Sequence, residues 1–236
     1  YSLFVTTSQD IHLPNGDIYI KKHMDGVIFA GEVDIRVIEE FRKQSIPVVL
    51  VNNYLDMDGL VCISADHYGG AVQATEYLCK LGHCKIGLLS GRFSPQVSEA
   101  RIEGFVKTLA KYDIPVDDRF IADIEPALED GEEIMTRMLR EVDRPTAFFC
   151  TNDTIAAGAM KAVTRAGLRV PEDIAIIGFD DSYISRVVEP ELTTVRIDAA
   201  KMGCLAMQTL FDLIAGMPVE KAHIQIPTEL IVRGPA

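Results

Sequence analysis

The chain contains Ala147-Phe148-Phe149-Cys150-Thr151-Asn152-Asp153, then a helically spaced segment closing on Ala166-Gly167, then Ile174-Ala175-Ile176-Ile177-Gly178-Phe179-Asp180-Asp181. An unbroken apolar run, a helix ended by glycine and a second unbroken run make the pattern of a parallel βαβ unit, whose strands are buried on both faces. The same alternation extends in both directions. It predicts strands at 2–7, 26–30, 46–51, 60–64, 85–90, 119–123, 146–150, 174–179, 193–197 and 223–227. Between them the spacing predicts helices over 69–81, 98–112, 129–142, 153–166 and 198–215, three of them closed by Gly82, Gly167 and Gly216. The fold class is therefore α/β with parallel sheets.

Length and composition bound the rest. The 236 residues allow one large domain or two small lobes, and 48% apolar with 25% charged residues is the make-up of a globular chain. Thirty-five acids against 23 bases leave a net charge of −12, which argues against a nucleic-acid surface within these residues. Five cysteines, an odd number set in apolar segments, point to reduced thiols and a cytoplasmic setting. No apolar stretch is long enough for a membrane helix, and the first ten residues lack a signal-peptide pattern.

In open parallel sheets ligands bind beyond the carboxyl ends of the strands. The residues there are Gly31-Glu32, Asn52-Asn53-Tyr54, Asp66-His67-Tyr68, Gly91-Arg92-Phe93, Thr151-Asn152-Asp153 and Asp180-Asp181. Carboxylates, amides, arginine and aromatics together suit a neutral, hydroxyl-rich ligand. Asp153 reads as the cap of its helix and Asn152 as the ligand contact. Asp66 fits either a cap or a contact, and Asp181 reads as a turn cap. Arg101 fits either a snorkelling surface position or a reach into the site. Of Phe148 and Phe149, at most one can face the ligand. Nucleotide-binding glycine loops, a nucleophile elbow and the zinc-protease motif are absent. Cys79, Cys84 and His83 match no common zinc spacing, so Cys79 reads as core packing. Neither a metal nor a cofactor is expected.

A series of stretches in order resembles the effector-binding domain of the LacI/GalR family of bacterial transcriptional regulators. The series runs through Met24-Asp25-Gly26-Val27-Ile28, the helix ending Leu81-Gly82-His83, Arg101-Ile102-Glu103-Gly104-Phe105 and Thr151-Asn152-Asp153. It continues with Val170-Pro171-Glu172-Asp173-Ile174, Gly178-Phe179-Asp180-Asp181 and Pro190-Glu191-Leu192-Thr193-Thr194-Val195. The resemblance implies two Rossmann-like lobes of the periplasmic binding protein type, three crossovers, and a ligand cleft between the lobes. It places residues 1–84 with 197–221 in one lobe and 85–196 with 222–236 in the other. It assigns effector contacts to Arg101, Asn152 and Asp180, with Asp66 beside them, and Tyr54, Phe93 or Tyr183 is expected to stack on the ligand.

The implied function is non-enzymatic. A sugar or sugar derivative would close the lobes of a homodimer and bias operator binding by an N-terminal helix-turn-helix module, which these residues do not contain. The resemblance also expects a first strand and helix ahead of Tyr1, and the Pro14-Asn15-Gly16 loop interrupts what is commonly a helix. The rival readings are an exported sugar-binding protein of a transport system, an enzyme on the same scaffold, and control by a protein partner.

Overall fold

The computed structural model describes residues 24–53, 55, 57–219 and 222–233. The strand expected at 2–7, the loop 11–16 and Tyr54 lie outside the described residues. The chain forms two compact units and passes between them three times, at Ser64/Ala65, Asp198/Ala199 and Ile226/Pro227.

The first unit carries the strands β1 (Val27–Ala30), β2 (Val48–Val51), β3 (Val61–Ala65, its last residue in the second unit) and β9 (His223–Ile226), in the order β1-β2-β3-β9. β1 and β2 pair in parallel, as do β2 and β3. One face buries Phe29, Val48, Leu50, Leu60 and Cys62 with Ile38 and Phe41 of α1 (Ile35–Lys43). Helix α6 (Ala199–Ile214) packs on β1 and β2 and buries Met202, Ala206 and Leu210. The apolar spacing did not single out α1, although Asp34 caps it, accepting from the Arg36 backbone N–H at 2.8 Å.

The second unit holds a six-stranded sheet, β10-β8-β7-β6-β4-β5. β4 (Ile86–Gly91), β5 (Ile121–Ile124), β6 (Ala147–Cys150), β7 (Ala175–Asp180) and β8 (Thr194–Arg196) are parallel. The edge strand β10 (Glu229–Ile231) pairs antiparallel with β8 and was not foreseen. Residues alternate across the sheet. Leu89, Phe148, Cys150 and Ile176 face α4 (Leu128–Met138) and α5 (Asp153–Arg165), whereas Leu88, Phe149, Ile177 and Phe179 face α2 (His67–Lys80) and α3 (Pro95–Lys111). Both Phe148 and Phe149 are fully buried, in the core clusters on opposite faces of the sheet.

The helix pairs approach closely at glycines. A Cβ on Gly104 of α3 would meet the Tyr68 carbonyl oxygen of α2 at 2.7 Å, and one on Gly158 of α5 would meet the Leu128 carbonyl oxygen of α4 at 2.1 Å.

Three expectations are corrected. Helix α2 belongs with the second unit rather than with residues 1–84, because it packs on α3 and Gly70 lies against the Phe179 ring. β9 belongs with the first unit rather than with 222–236. It sits beside β3, where the Cys62 N–H donates to the Ala222 carbonyl at 2.8 Å and Ser64 Oγ meets His223 Nε2 at 2.8 Å. It is also not buried on both faces, since His223 and Gln225 are exposed, as an edge strand allows.

Candidate functional site

In the second unit β4 is followed on one side by β5 and on the other by β6, so the strand order reverses at β4/β6. The carboxyl ends of β4, β6 and β7 bring Ser90-Gly91, Thr151-Asn152 and Asp180 to this switch point, where open α/β sheets place their ligands. Two contacts hold the strand ends together. Thr151 N–H donates to the Leu89 carbonyl at 2.9 Å, and Thr151 Oγ1 accepts from the Gly91 N–H at 2.7 Å.

Arg101 is the hub. It sits on α3, which starts at Pro95 behind Ser94, earlier than the spacing indicated. Its side chain is 3% exposed, so the snorkelling alternative is excluded. Nη1 donates to the Thr151 carbonyl, and Nη2 donates to Asp180 Oδ1 at 3.1 Å and to His67 Nδ1 at 3.2 Å. The guanidinium lies over the Phe179 ring at 3.9 Å and the Phe93 ring at 4.9 Å. A buried cation is tolerable only when paired and hydrogen-bonded, and this is the network that does it. Burial pushes the Arg101 pKa down and the Asp180 pKa up, and each partner opposes the other's shift.

Asp180 stands at φ +108°, with its side chain 35% exposed. Its Oδ1 takes the arginine, and its Oδ2 has no hydrogen bond among the described residues. His67 was placed at a strand end by the sequence but given no role there. Its pKa is lowered to about 3, first by burial and then by the Arg101 charge, so the ring is neutral. Because Nδ1 accepts from Arg101, the ring proton belongs on Nε2, a buried donor without a partner among the described residues. The signal available was its position directly after Asp66 at a strand end.

The capping assignment at α5 is reversed. Asn152, not Asp153, is the N-cap, with Oδ1 accepting from the Ile155 N–H at 2.8 Å. Asp153 is buried one position later, accepting from Thr194 Oγ1 and from the Ser182 N–H at 2.6 Å. Its pKa is raised to about 6 by burial, partly offset by these hydrogen bonds. Asn152 is 7% exposed, and its Nδ2 has no hydrogen bond among the described residues. Asp66 caps α2, accepting from the Gly69 N–H at 2.8 Å. Phe93 reaches the hub through its ring over Arg101. Tyr183 is 83% exposed on a short 3-10 turn and makes no ring contact with the hub. Asp181 is no simple turn cap, because it is ion-paired with Arg196, Arg233 and Arg186.

Cys79 packs in the core beside Leu78 and Ile86, and His83 Nδ1 is bonded to Thr146 Oγ1 at 2.8 Å. Among the described residues no helix is long and apolar enough to cross a membrane.

The profile of the periplasmic binding protein-like domain matches residues 75–234. The probable HTH-type transcriptional repressor ExuR of Bacillus subtilis (strain 168) is 34% identical over 235 residues, 99% of this chain and 70% of the relative. The crystal structure of a regulatory protein of the LacI family from Chloroflexus aggregans superposes with a TM-score of 0.82 at 31% identity, covering 89% of this chain and 75% of that one. The complex of the transcriptional regulator CelR with cellobiose also gives a TM-score of 0.82, at 26% identity over 90% of this chain and 66% of that one. These relatives are repressors and regulators, not enzymes or transport proteins. The chain belongs to the LacI/GalR family of transcriptional repressors, as an effector-binding domain of the periplasmic binding protein-like fold.

Proposed function

We propose that a small hydroxyl-bearing effector, a sugar or sugar derivative, binds at the β4, β6 and β7 carboxyl ends and changes the operator affinity of a helix-turn-helix module belonging to the same protein. One observation carries this reading: Asp180, its side chain 35% exposed, is held by one oxygen on a buried arginine while its other oxygen has no hydrogen bond among the described residues. A carboxylate so fixed accepts from hydroxyl groups without reorganising. Asn152 Nδ2 adds an amide donor, and the Phe93 edge adds apolar surface. Asp66, whose Oδ1 caps α2, remains a proposed effector contact. Tyr54 and Tyr183 remain proposed stacking residues. The cellobiose complex of CelR supports the ligand class. The protein acts as a homodimer in the cytoplasm, which sedimentation of the full chain and cell fractionation test.

Thermal-shift screening of the chain against sugars, phosphosugars, nucleosides and purines tests the ligand. A ligand at 100 times its Kd adds about 2.7 kcal/mol, a shift of several degrees. The expected hit is a sugar whose shift is lost in Asp180→Ala. A sugar bound equally well by that variant overturns the assignment.

A further inference from the structure

We propose that Asp181, clamped by Arg233 and Arg196, is the positioning group that sets the Asp180 carboxylate against Arg101. Asp180 and Asp181 are consecutive non-glycine residues at φ +108° and +52°. Such a backbone persists only where its surroundings over-determine it. Asp180 does not supply that constraint, since among the described residues its side chain is bonded to Arg101 Nη2 alone.

Asp181 does supply it. Its side chain is 2% exposed and accepts from Arg196 Nε at 2.7 Å, from Arg233 Nη2, from Ser185 Oγ at 3.2 Å and from Arg186 Nη2 at 3.5 Å. These donors stand on separate segments: the last residue of β8, the segment after β10, and the 3-10 turn. Arg233 is anchored in turn, donating from Nη1 to the Leu192 carbonyl at 2.9 Å and to Ser185 Oγ at 3.1 Å. Arg196 is the register partner of Asp180 on β8, so the clamp closes directly across the strand from the carboxylate it sets. The buried charge at Asp181 is thus satisfied on every side, and its backbone, with that of Asp180, is left one arrangement.

The importance of this for ligand binding rests on the effector-site reading, whereas the geometry at Arg101 does not. The test therefore reads Arg101 directly in the ligand-free full chain. With arginine labelled with nitrogen-15, the buried Arg101 Nε–H is followed by hydrogen exchange, with the Leu88 and Phe149 amides as internal controls for general loosening. In Asp181→Asn the Arg101 signal should shift and exchange about tenfold faster while the control amides stay within about twofold. Arg233→Gln, which keeps the Arg196 arm, should give a smaller change of the same sign and serves alone if Asp181→Asn does not fold. Exchange at Arg101 that is unchanged, or that rises only in step with the controls, overturns the proposal. A change at Arg101 with no sugar bound by the wild type leaves the clamp standing and sinks the effector reading instead.

Discussion

Replacing Arg101 with methionine tests whether the hub is held by its polar network or by its packing. The substitution keeps most of the stem but removes the donor from the Thr151 carbonyl and from His67 Nδ1, both within a buried site. Each orphaned acceptor costs about 1–2 kcal/mol, and losing the cation from the Phe179 and Phe93 faces costs about 1 more. Asp180, 35% exposed, is rescued by water. Relief from burying a guanidinium whose Nε has no partner among the described residues offsets part of the loss. The net is about 3 kcal/mol, which lowers Tm by roughly 6–12 °C for a chain of this size. Scanning calorimetry at pH 7 measures it, and on the proposed effector reading sugar binding should vanish in parallel. With the neighbouring charge gone the His67 pKa should rise from about 3, while burial, the larger cause, keeps it below 6.5. A Tm within about 2 °C of wild type would refute the reasoning, since the network would then contribute little beyond the space it fills.

Burial raises the Asp153 pKa from the ordinary 3.8 to about 6, so the folded state holds its proton more tightly. Its contribution is greatest at low pH and falls as pH rises through that window, by up to about 3 kcal/mol. Denaturant unfolding of wild type against Asp153→Asn should show the wild type losing ground from pH 4 to pH 7; a difference independent of pH rules this out. Gly158→Ala gains about 1 kcal/mol of helix propensity but drives a Cβ into the Leu128 carbonyl at 2.1 Å and the Glu132 nitrogen at 2.8 Å. Backbone cannot yield as a side chain does, so a net loss of about 2 kcal/mol or more is expected in thermal melts. Asn152→Ala should cost about 1 kcal/mol as a lost cap, whereas Asn152→Ser keeps the cap within about 0.5 kcal/mol. If the Nδ2 group contacts ligand, both variants weaken sugar binding in calorimetric titration; full binding by Asn152→Ser limits Asn152 to capping.

The parallel strands of the second unit were legible because burial on both faces demands continuous apolar runs such as Ala175 to Gly178, and such runs survive in one dimension. Helix ends were legible where glycine closes them, and Gly82, Gly167 and Gly216 all stand at positive φ. Helix α1 lacks that mark, ending through Gln44 and Ser45, with Ser45 at φ +59°. β10 is three residues on an edge, too short to carry a pattern.

The chemistry of the site was readable as residue types at strand ends, but not as roles. Asn152 and Asp153 are both good caps, and what takes Asp153 out of contention is Thr194 and Ser182, 41 and 29 positions along the chain. Arg101 is ambiguous on its helix until Thr151, Asp180 and His67, 50, 79 and 34 positions away, converge on it. The sequence by itself thus determined fold class, family and the strand ends where a ligand would be met, because periodicity and local backbone chemistry act over a few residues. Only the tertiary structure decided which polar group caps and which pairs, because a buried charge is satisfied by whatever partners the folded chain brings within about 3 Å, and those partners have no fixed separation in sequence.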